Sequence, residues 1–136
     1  MRVLILGGAG MLGHKVWQVF RERFDTYVAF RSADPRLASV LFDPARTITN
    51  LDVTDFDAIV RAFAKVRPDV VVNAIGIVKQ LPTAKDHVIS LTINSLLPHR
   101  LAQLCTATGA RLFHISTDCV FTGRKGFYTE ADMPDA

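Results

Sequence analysis

Large apolar residues recur along this chain with two periods, and the switches between the periods place its elements. Arg2-Val3-Leu4-Ile5-Leu6 is a short, nearly unbroken apolar run closed at once by glycine, the pattern of a strand buried on both faces. Past Gly13 the spacing becomes helical, with Val16, Trp17, Val19 and Phe20, and the pattern carries this helix to about Arg23. Thr26-Tyr27-Val28-Ala29-Phe30 reads as a second strand. Residues 32–45, with Pro35 and Pro44 and no clear period, read as a loop holding at most a short helical turn. A third strand is expected over Thr47–Asp52. A helix follows with Thr54 as its N-cap, acids in its first turn, and Phe56, Ile59, Val60 and Phe63 on one face, stopping before Pro68. Asp69–Gly76 reads as a fourth buried strand running into a turn of small residues. Asp86–Thr108 is a long apolar-periodic helical segment closed by Gly109, and Pro98 inside it predicts a kink or two consecutive helices. Arg111–Ser116 reads as a fifth strand, after which Gly123, Gly126 and Pro134 mark irregular chain.

Strands alternating with helices imply right-handed crossovers, hence an α/β fold with a Rossmann-type doubly wound parallel sheet whose ligands lie at the carboxyl ends of its strands. No internal repeat or linker divides residues 1–136, which read as one domain. The first strand-to-helix turn then acquires chemical meaning. Its spacing Gly7-x-x-Gly10-x-x-Gly13 sits where free backbone N–H groups and the positive end of a helix favour a phosphate. Gly7 would make the turn, Gly10 the close approach to the anion, and Gly13 the tight packing of helix on strand, with Met11 and Leu12 in the first helical turn. This points to the pyrophosphate of a dinucleotide, against the alternative of a merely structural tight turn. Asn73, Ala74, Ile75 and Gly76 fall at the carboxyl end of the fourth strand and are further candidates for cofactor contact.

The end of the second strand bears on which dinucleotide. An acidic residue there would bind the adenine ribose, whereas this chain runs into Arg31-Ser32 with no carboxylate before Asp34. A guanidinium grips a phosphate in bidentate fashion, so NADP(H) is favoured over NAD(H), the alternative being that Arg31 is a solvated loop charge. Asp52 and Val53 are candidates to line the adenine pocket, and Asp52 reads equally well as a loop carboxylate.

Composition narrows the classes without changing this picture. The 136 residues are 49% hydrophobic and 21% charged, enough for a globular domain with a real core. A formal charge of +3 with no cluster of Lys and Arg among aromatics gives nucleic-acid binding little support. The apolar run from Val3 to Leu12 is broken by glycines, too short to span a bilayer and a poor signal peptide, so no membrane role and a cytoplasmic location are expected. Cys105 and Cys119 lack metal-ligand spacing and read as reduced, mostly buried thiols, with no metal site expected.

The same residues resemble a known family. The glycine turn, Asn73-Ala74-Ile75-Gly76, Asn94 in Ile93-Asn94-Ser95, and above all His114-Ile115-Ser116-Thr117-Asp118-Cys119-Val120-Phe121 with Gly123, Tyr128 and Glu130 are similar to the extended short-chain dehydrogenase/reductases of the dTDP-4-dehydrorhamnose reductase type. The resemblance spans the whole chain and implies a nucleotide-linked 4-keto-deoxysugar as substrate. It implies that Thr117 hydrogen-bonds the reacting carbonyl, that Asn94 supports the proton relay, and that Ala74 and Gly76 lie beside the nicotinamide ribose. Asp118, Val120 and Phe121 would lie near the substrate or serve the packing of their own loop.

One feature of that family is missing. Its proton donor is a Tyr with a Lys four residues later, which eases proton loss from a phenol of pKa near about 10. Here Tyr27 is followed at that distance by Arg31 and Tyr128 by Asp132. The resemblance therefore implies the amino-terminal, cofactor-binding part of a reductase, truncated after the fifth strand, with the pair and a carboxyl-terminal substrate domain absent. This chain alone is expected to be inactive, and its last strand to form an open edge prone to self-association or a homodimer. The alternatives are a sugar-nucleotide epimerase or dehydratase, and a non-catalytic NAD(P)-binding module.

Overall fold

The computed structural model describes residues 1–32, 41–78 and 82–136. Five parallel strands form one sheet in the order β3-β2-β1-β4-β5, with β1 (Arg2–Leu6), β2 (Asp25–Ala29), β3 (Thr47–Ile48), β4 (Val70–Asn73) and β5 (Arg111–His114). The α-helices with both ends among the described residues are α1 (Met11–Phe20), α2 (Phe56–Val66), α3 (His87–Leu91) and α4 (Leu97–Thr108), with a π turn over Thr92–Leu96 between the last two. This is the Rossmann-type arrangement the apolar pattern implied.

The central strand explains the two layers. Val3, Leu4, Ile5 and Leu6 are all fully buried, because β1 has a strand on each side and helices on each face. Val3 and Ile5 join Trp17 of α1, Val28, Phe30 and Phe42, whereas Leu4 and Leu6 join Ile59, Phe63 and Val66 of α2 and Leu97 and Leu101 of α4. Burying each such side chain stabilises the fold by about 1.5–3 kcal/mol, so the unbroken apolar run is what holds β1 at the middle. The connections β1–β2, β2–β3 and β4–β5 lead to neighbouring strands, whereas the chain passes from β3 across β2 and β1 to reach β4, so the direction of winding reverses between β1 and β4. The turns after those two strands therefore face each other across a crevice.

Several boundaries differ from the sequence expectation for local reasons. The first helix ends at Phe20 rather than near Arg23, because the Arg23 and Phe24 N–H groups both turn back to the Phe20 carbonyl. β3 is two residues long where six were expected; Asn50 adopts a left-handed φ of 57° and takes the chain out of the ladder. β4 and β5 stop at Asn73 and His114 instead of Gly76 and Ser116. Asp55, not Thr54, caps α2 by accepting from the Asp57 N–H, since the Thr54 hydroxyl is given to Asp52 at 2.7 Å. At Pro98 the expected division occurs: the Leu97 N–H reaches back five residues to Thr92, and α4 starts afresh with proline in its first turn. Most of the loop expected over 32–45, with Asp34 and Pro35, lies outside the described residues.

β5 has a partner strand on one side among the described residues, and Phe113 on it is 50% exposed. Cys105 is buried, but Cys119 is exposed, contrary to the expectation of two mostly buried thiols; neither forms a disulfide. Among the described residues no helix is long and apolar enough to cross a membrane.

Candidate functional site

The glycine turn is built by contacts that side chains would destroy. Gly7 has a left-handed φ of 87°, and a Cβ there would sit 2.9 Å from the Ile75 side chain and 3.0 Å from the Ala74 carbonyl oxygen. The turn is held down by the Gly7 and Gly8 N–H groups, which both donate to the Ala29 carbonyl. Gly13 presses α1 directly on this turn: its Cβ would lie 2.8 Å from the Gly7 carbonyl carbon and 3.1 Å from the Gly8 Cα. The helix thus packs on the turn itself rather than on the strand. Gly10 is different. It is exposed, has ordinary extended angles (φ −77°, ψ 163°), and a Cβ there would meet only the Gly7 carbonyl oxygen at 3.3 Å.

Gly10 is also the N-cap of α1, and it provides no side-chain cap. No acidic residue occupies the first turn, and Met11 and Leu12 are exposed there. The first N–H groups of a helix have no partner within the helix and carry its positive end. Here Met11 and Leu12, exposed, follow a residue without a side chain whose Cβ position is open but for the Gly7 carbonyl oxygen. The donor set fits an anion such as a pyrophosphate.

Arg31 and Asp52 come together on the β2 side of the turn. The Leu51 N–H donates to the Phe30 carbonyl at 3.1 Å, which ties the segment after β3 to the end of β2. Asp52 accepts from the Thr54 N–H at 2.9 Å and the Thr54 hydroxyl at 2.7 Å. Those two bonds, then the Arg31 guanidinium, hold its carboxyl below the usual carboxylate range despite partial burial. Asp52 closes its own loop, the loop-carboxylate reading, and carries a charge near Arg31; Val53 follows it, packed against the α2-side core.

Across the crevice, Asn73 is fully buried and stops β4 by a local device. Its Oδ1 accepts from the Ile75 N–H at 3.1 Å, turning the chain just after Ala74, whose N–H still donates to the Leu6 carbonyl, and setting Ala74 and Ile75 against Gly7. Asn94, on the π turn, holds the next residue from both sides. Its Oδ1 accepts from the Ile77 N–H at 2.8 Å and its Nδ2 donates to the Ile77 carbonyl at 2.9 Å. An Asn that bridges helix and loop in this way is not simply a polar surface residue.

A cleft of about 840 Å³ opens between these pieces, lined by residues 74–78, Asn94, His114 to Thr117, Cys119 and Val120. Thr117 is exposed within it and accepts from the Cys119 N–H at 3.2 Å. Asp118 opens a short 3₁₀ turn ending at Val120. Phe121 instead stacks on Tyr128, with ring centroids 4.4 Å apart, so of the three substrate candidates it is the one that packs its own loop. The Tyr128 hydroxyl donates to Asp135 at 3.2 Å and does not line the cleft. The Thr122 N–H, more than its hydroxyl or that of Tyr128, holds the Asp135 carboxyl below its ordinary range.

Three positions that shape the site escaped the sequence reading. Gly8 is required because a Cβ there would collide with Cγ2 of Val28, a contact from another strand that only the doubled glycine hinted at. Ile77 matters through its backbone, which no side-chain pattern reports. His114 was quoted only as part of a motif, yet it pairs with buried Asn73.

The parallel sheet, its switch point and the glycine turn define a Rossmann-type domain of the kind that carries nucleotide-dependent reductases and epimerases. The chain belongs to the RmlD substrate binding domain family, whose pattern matches residues 1–135. It is 31% identical over 133 residues to the dTDP-4-dehydrorhamnose reductase of Streptomyces griseus, covering 98% of this chain and 38% of that protein. It is 34% identical over 137 residues to methionine adenosyltransferase 2 subunit beta of Mus musculus, covering 98% and 37%. This chain therefore spans less than half the length of these relatives. A hypothetical dTDP-4-dehydrorhamnose reductase from Sulfolobus tokodaii superposes with a TM-score of 0.81 at 29% identity, over 99% of this chain and 46% of that one. The Bordetella bronchiseptica enzyme WbmG, in complex with NAD and UDP, gives 0.78 at 25%, over 100% and 44%. The Bacillus anthracis dTDP-4-dehydrorhamnose reductase in complex with NADP gives 0.67 at 26%, over 90% and 38%. Solved neighbours thus hold either nicotinamide dinucleotide.

Proposed function

We propose that this chain is the cofactor-binding part of an NAD(P)-dependent reductase of a nucleotide-linked 4-keto-deoxysugar. The observation that carries the reading is the uncapped, acid-free start of α1 behind an open Gly10, at the switch point and beside the cleft that holds Thr117 and Asn94. In this reading the backbone N–H groups of Met11, Leu12 and Gly13 hold the pyrophosphate. Arg31, Asp52 and Val53 face the adenosine end, where the Arg31 guanidinium favours a 2′-phosphate and hence NADP(H). The turn from Asn73 to Gly76 borders the nicotinamide ribose, and Asn94 keeps that border in place through Ile77.

A reduced nicotinamide bound there supplies a hydride. Thr117 then orients the carbonyl that receives it by donating its hydroxyl proton in a hydrogen bond, with Asp118 and Val120 beside the sugar. The alcohol still needs a proton. The two tyrosines of these 136 residues lack the Lys four positions on, and the Tyr128 hydroxyl is engaged by Asp135, so binding without turnover is expected of this chain alone.

Titration with NADPH and NADH, followed by cofactor fluorescence, tests the reading. Saturable binding is expected, lost in Gly10→Val and weakened for NADPH more than NADH in Arg31→Ala. Folded protein that binds neither nucleotide would overturn it. A second reading, a non-catalytic dinucleotide-binding module, is favoured because neither Tyr27 nor Tyr128 has a Lys four residues on. It shares the binding result but predicts no keto-sugar-dependent oxidation of NADPH when residues 1–136 are followed by the rest of a full-length reductase. Turnover of a nucleotide-linked sugar in which oxidised nicotinamide takes up a hydride and returns it, with no net change in the cofactor, would favour an epimerase or dehydratase. We also infer that the side of β5 that has no partner strand among the described residues, with Phe113 exposed, promotes self-association of residues 1–136; a sedimentation coefficient independent of concentration would refute it.

A further inference from the structure

The hydrogen bonds of Asn73 determine which nitrogen of His114 carries a proton. A backbone N–H can only donate, so the Ile75 N–H at 3.1 Å fixes Oδ1 of Asn73 as the atom facing the turn. The other end, Nδ2, then faces His114, 3.1 Å from Nδ1. An amide nitrogen has only protons to offer, so Nδ1 accepts, and the imidazole is neutral with its proton on Nε2. Inverting the amide gives no alternative, because the Ile75 N–H and the Asn73 Nδ2 would then point at each other within a fully buried side chain's surroundings. The pairing is set by the sheet: Asn73 and His114 are register partners in the β4–β5 ladder, and the Ile115 N–H donates to the Asn73 carbonyl at 3.0 Å.

His114 is exposed and lines the cleft with Asn94 and Thr117. The two ring nitrogens lie on opposite flanks of the imidazole. With Nδ1 turned to the buried amide, Nε2–H is turned away from it, on a ring that lines the cleft. We propose that Asn73 locks His114 as the neutral Nε2–H tautomer and thereby makes it a specificity-determining hydrogen-bond donor to an acceptor oxygen of the ligand in this cleft. A carbonyl, hydroxyl or phosphate oxygen satisfies that donor, and a ligand presenting an N–H at the same place is rejected. The proposal rests on the reductase reading only for the source of that oxygen, which is the dinucleotide or the sugar nucleotide.

The tautomer is read directly from two-bond ¹H–¹⁵N correlations of the imidazole in the labelled, ligand-free chain at pH 8. The Nε2–H form is expected; the Nδ1–H form, or an even mixture, overturns the proposal without reference to any cofactor. Asn73→Asp keeps an acceptor for the Ile75 N–H but demands a proton on Nδ1, so it is expected to convert His114 to the Nδ1–H or doubly protonated form while the fold persists. NADPH and thymidine diphosphate are then titrated separately. The probe that supplies the oxygen shifts the His114 Nε2–H resonance and binds about five- to tenfold more weakly to His114→Phe, with partial recovery in His114→Gln, which retains a donor. Binding of both probes with no change at His114 overturns the proposal and leaves the cofactor reading intact. Binding of neither overturns the ligand half of the proposal together with that reading, and the tautomer result tells the two failures apart.

Discussion

The contact between Gly13 and the glycine turn predicts a stability change opposite in sign to the one helix propensity alone would give. In an unconstrained helix, Gly→Ala stabilises by about 0.5–1 kcal/mol, because alanine loses less backbone freedom on folding. At Gly13 the new Cβ would stand 2.8 Å from the Gly7 carbonyl carbon and closer still to its oxygen. Carbon atoms in contact prefer about 3.5–4.0 Å, so helix and turn would have to separate by about 1 Å. Neither can give readily. The turn is held by two hydrogen bonds to Ala29, and α1 is held by Trp17, which is 3% exposed with its ring 4.7 Å from Phe42. Overpacking of this kind costs about 1–3 kcal/mol, and with backbone on both sides the upper half of that range applies. The net expectation for Gly13→Ala is a loss of about 1–2 kcal/mol, lowering the urea midpoint by about 0.5–1 M at an ordinary slope. Gly10→Ala is the internal control: its angles suit any residue, its nearest contact is 3.3 Å, and it is expected to lose no more than about 0.5–1 kcal/mol. A Gly13→Ala protein that unfolds at or above the parent's urea midpoint would refute the packing argument.

Asn94→Ala removes both bonds to the Ile77 backbone and is expected to cost about 1–2 kcal/mol and to speed amide hydrogen exchange at Ile77, whereas Asn94→Asp, which keeps the acceptor, loses less; unchanged protection at Ile77 would contradict this. Burial pushes the Cys105 thiol above its ordinary value, while Cys119 is exposed, so a thiol reagent should modify Cys119 rapidly and Cys105 only on unfolding, and equal rates in the folded protein would be the contrary result. Asp52 has a folded pKa below its unfolded one, so its contribution to stability is present above the ordinary carboxylate range and is lost as pH falls through the depressed value. Asp52→Asn should accordingly narrow the difference in stability between pH 7 and pH 3; an unchanged difference would count against the Thr54 and Arg31 interactions as its source.

Much of the site was legible because its signals are local. Gly7, Gly10 and Gly13 lie within seven residues of one another, and the strand before and helix after them are periodic enough to fix where the turn falls. What was misread also had local causes acting at single atoms. Asn50 leaves the ladder by its left-handed backbone, Asn73 bends the chain by accepting from Ile75, and Thr54 gives its hydroxyl to Asp52, which passes the cap of α2 to Asp55. Each is a choice between two hydrogen-bond partners of similar worth, and periodicity carries no information about such choices.

By itself the sequence determined the succession of strands and helices, the α/β class and the place of the glycine-built first turn, since these follow from apolar spacing and from glycine's missing side chain. The tertiary structure alone decided that β1 lies between β2 and β4, that Gly8 must spare room for Val28, that Asn94 clasps Ile77, and that Asn73 meets His114 41 residues away. Those pairings join residues distant in the chain, and they arise only where packing of the two helical layers brings the carboxyl ends of the strands together.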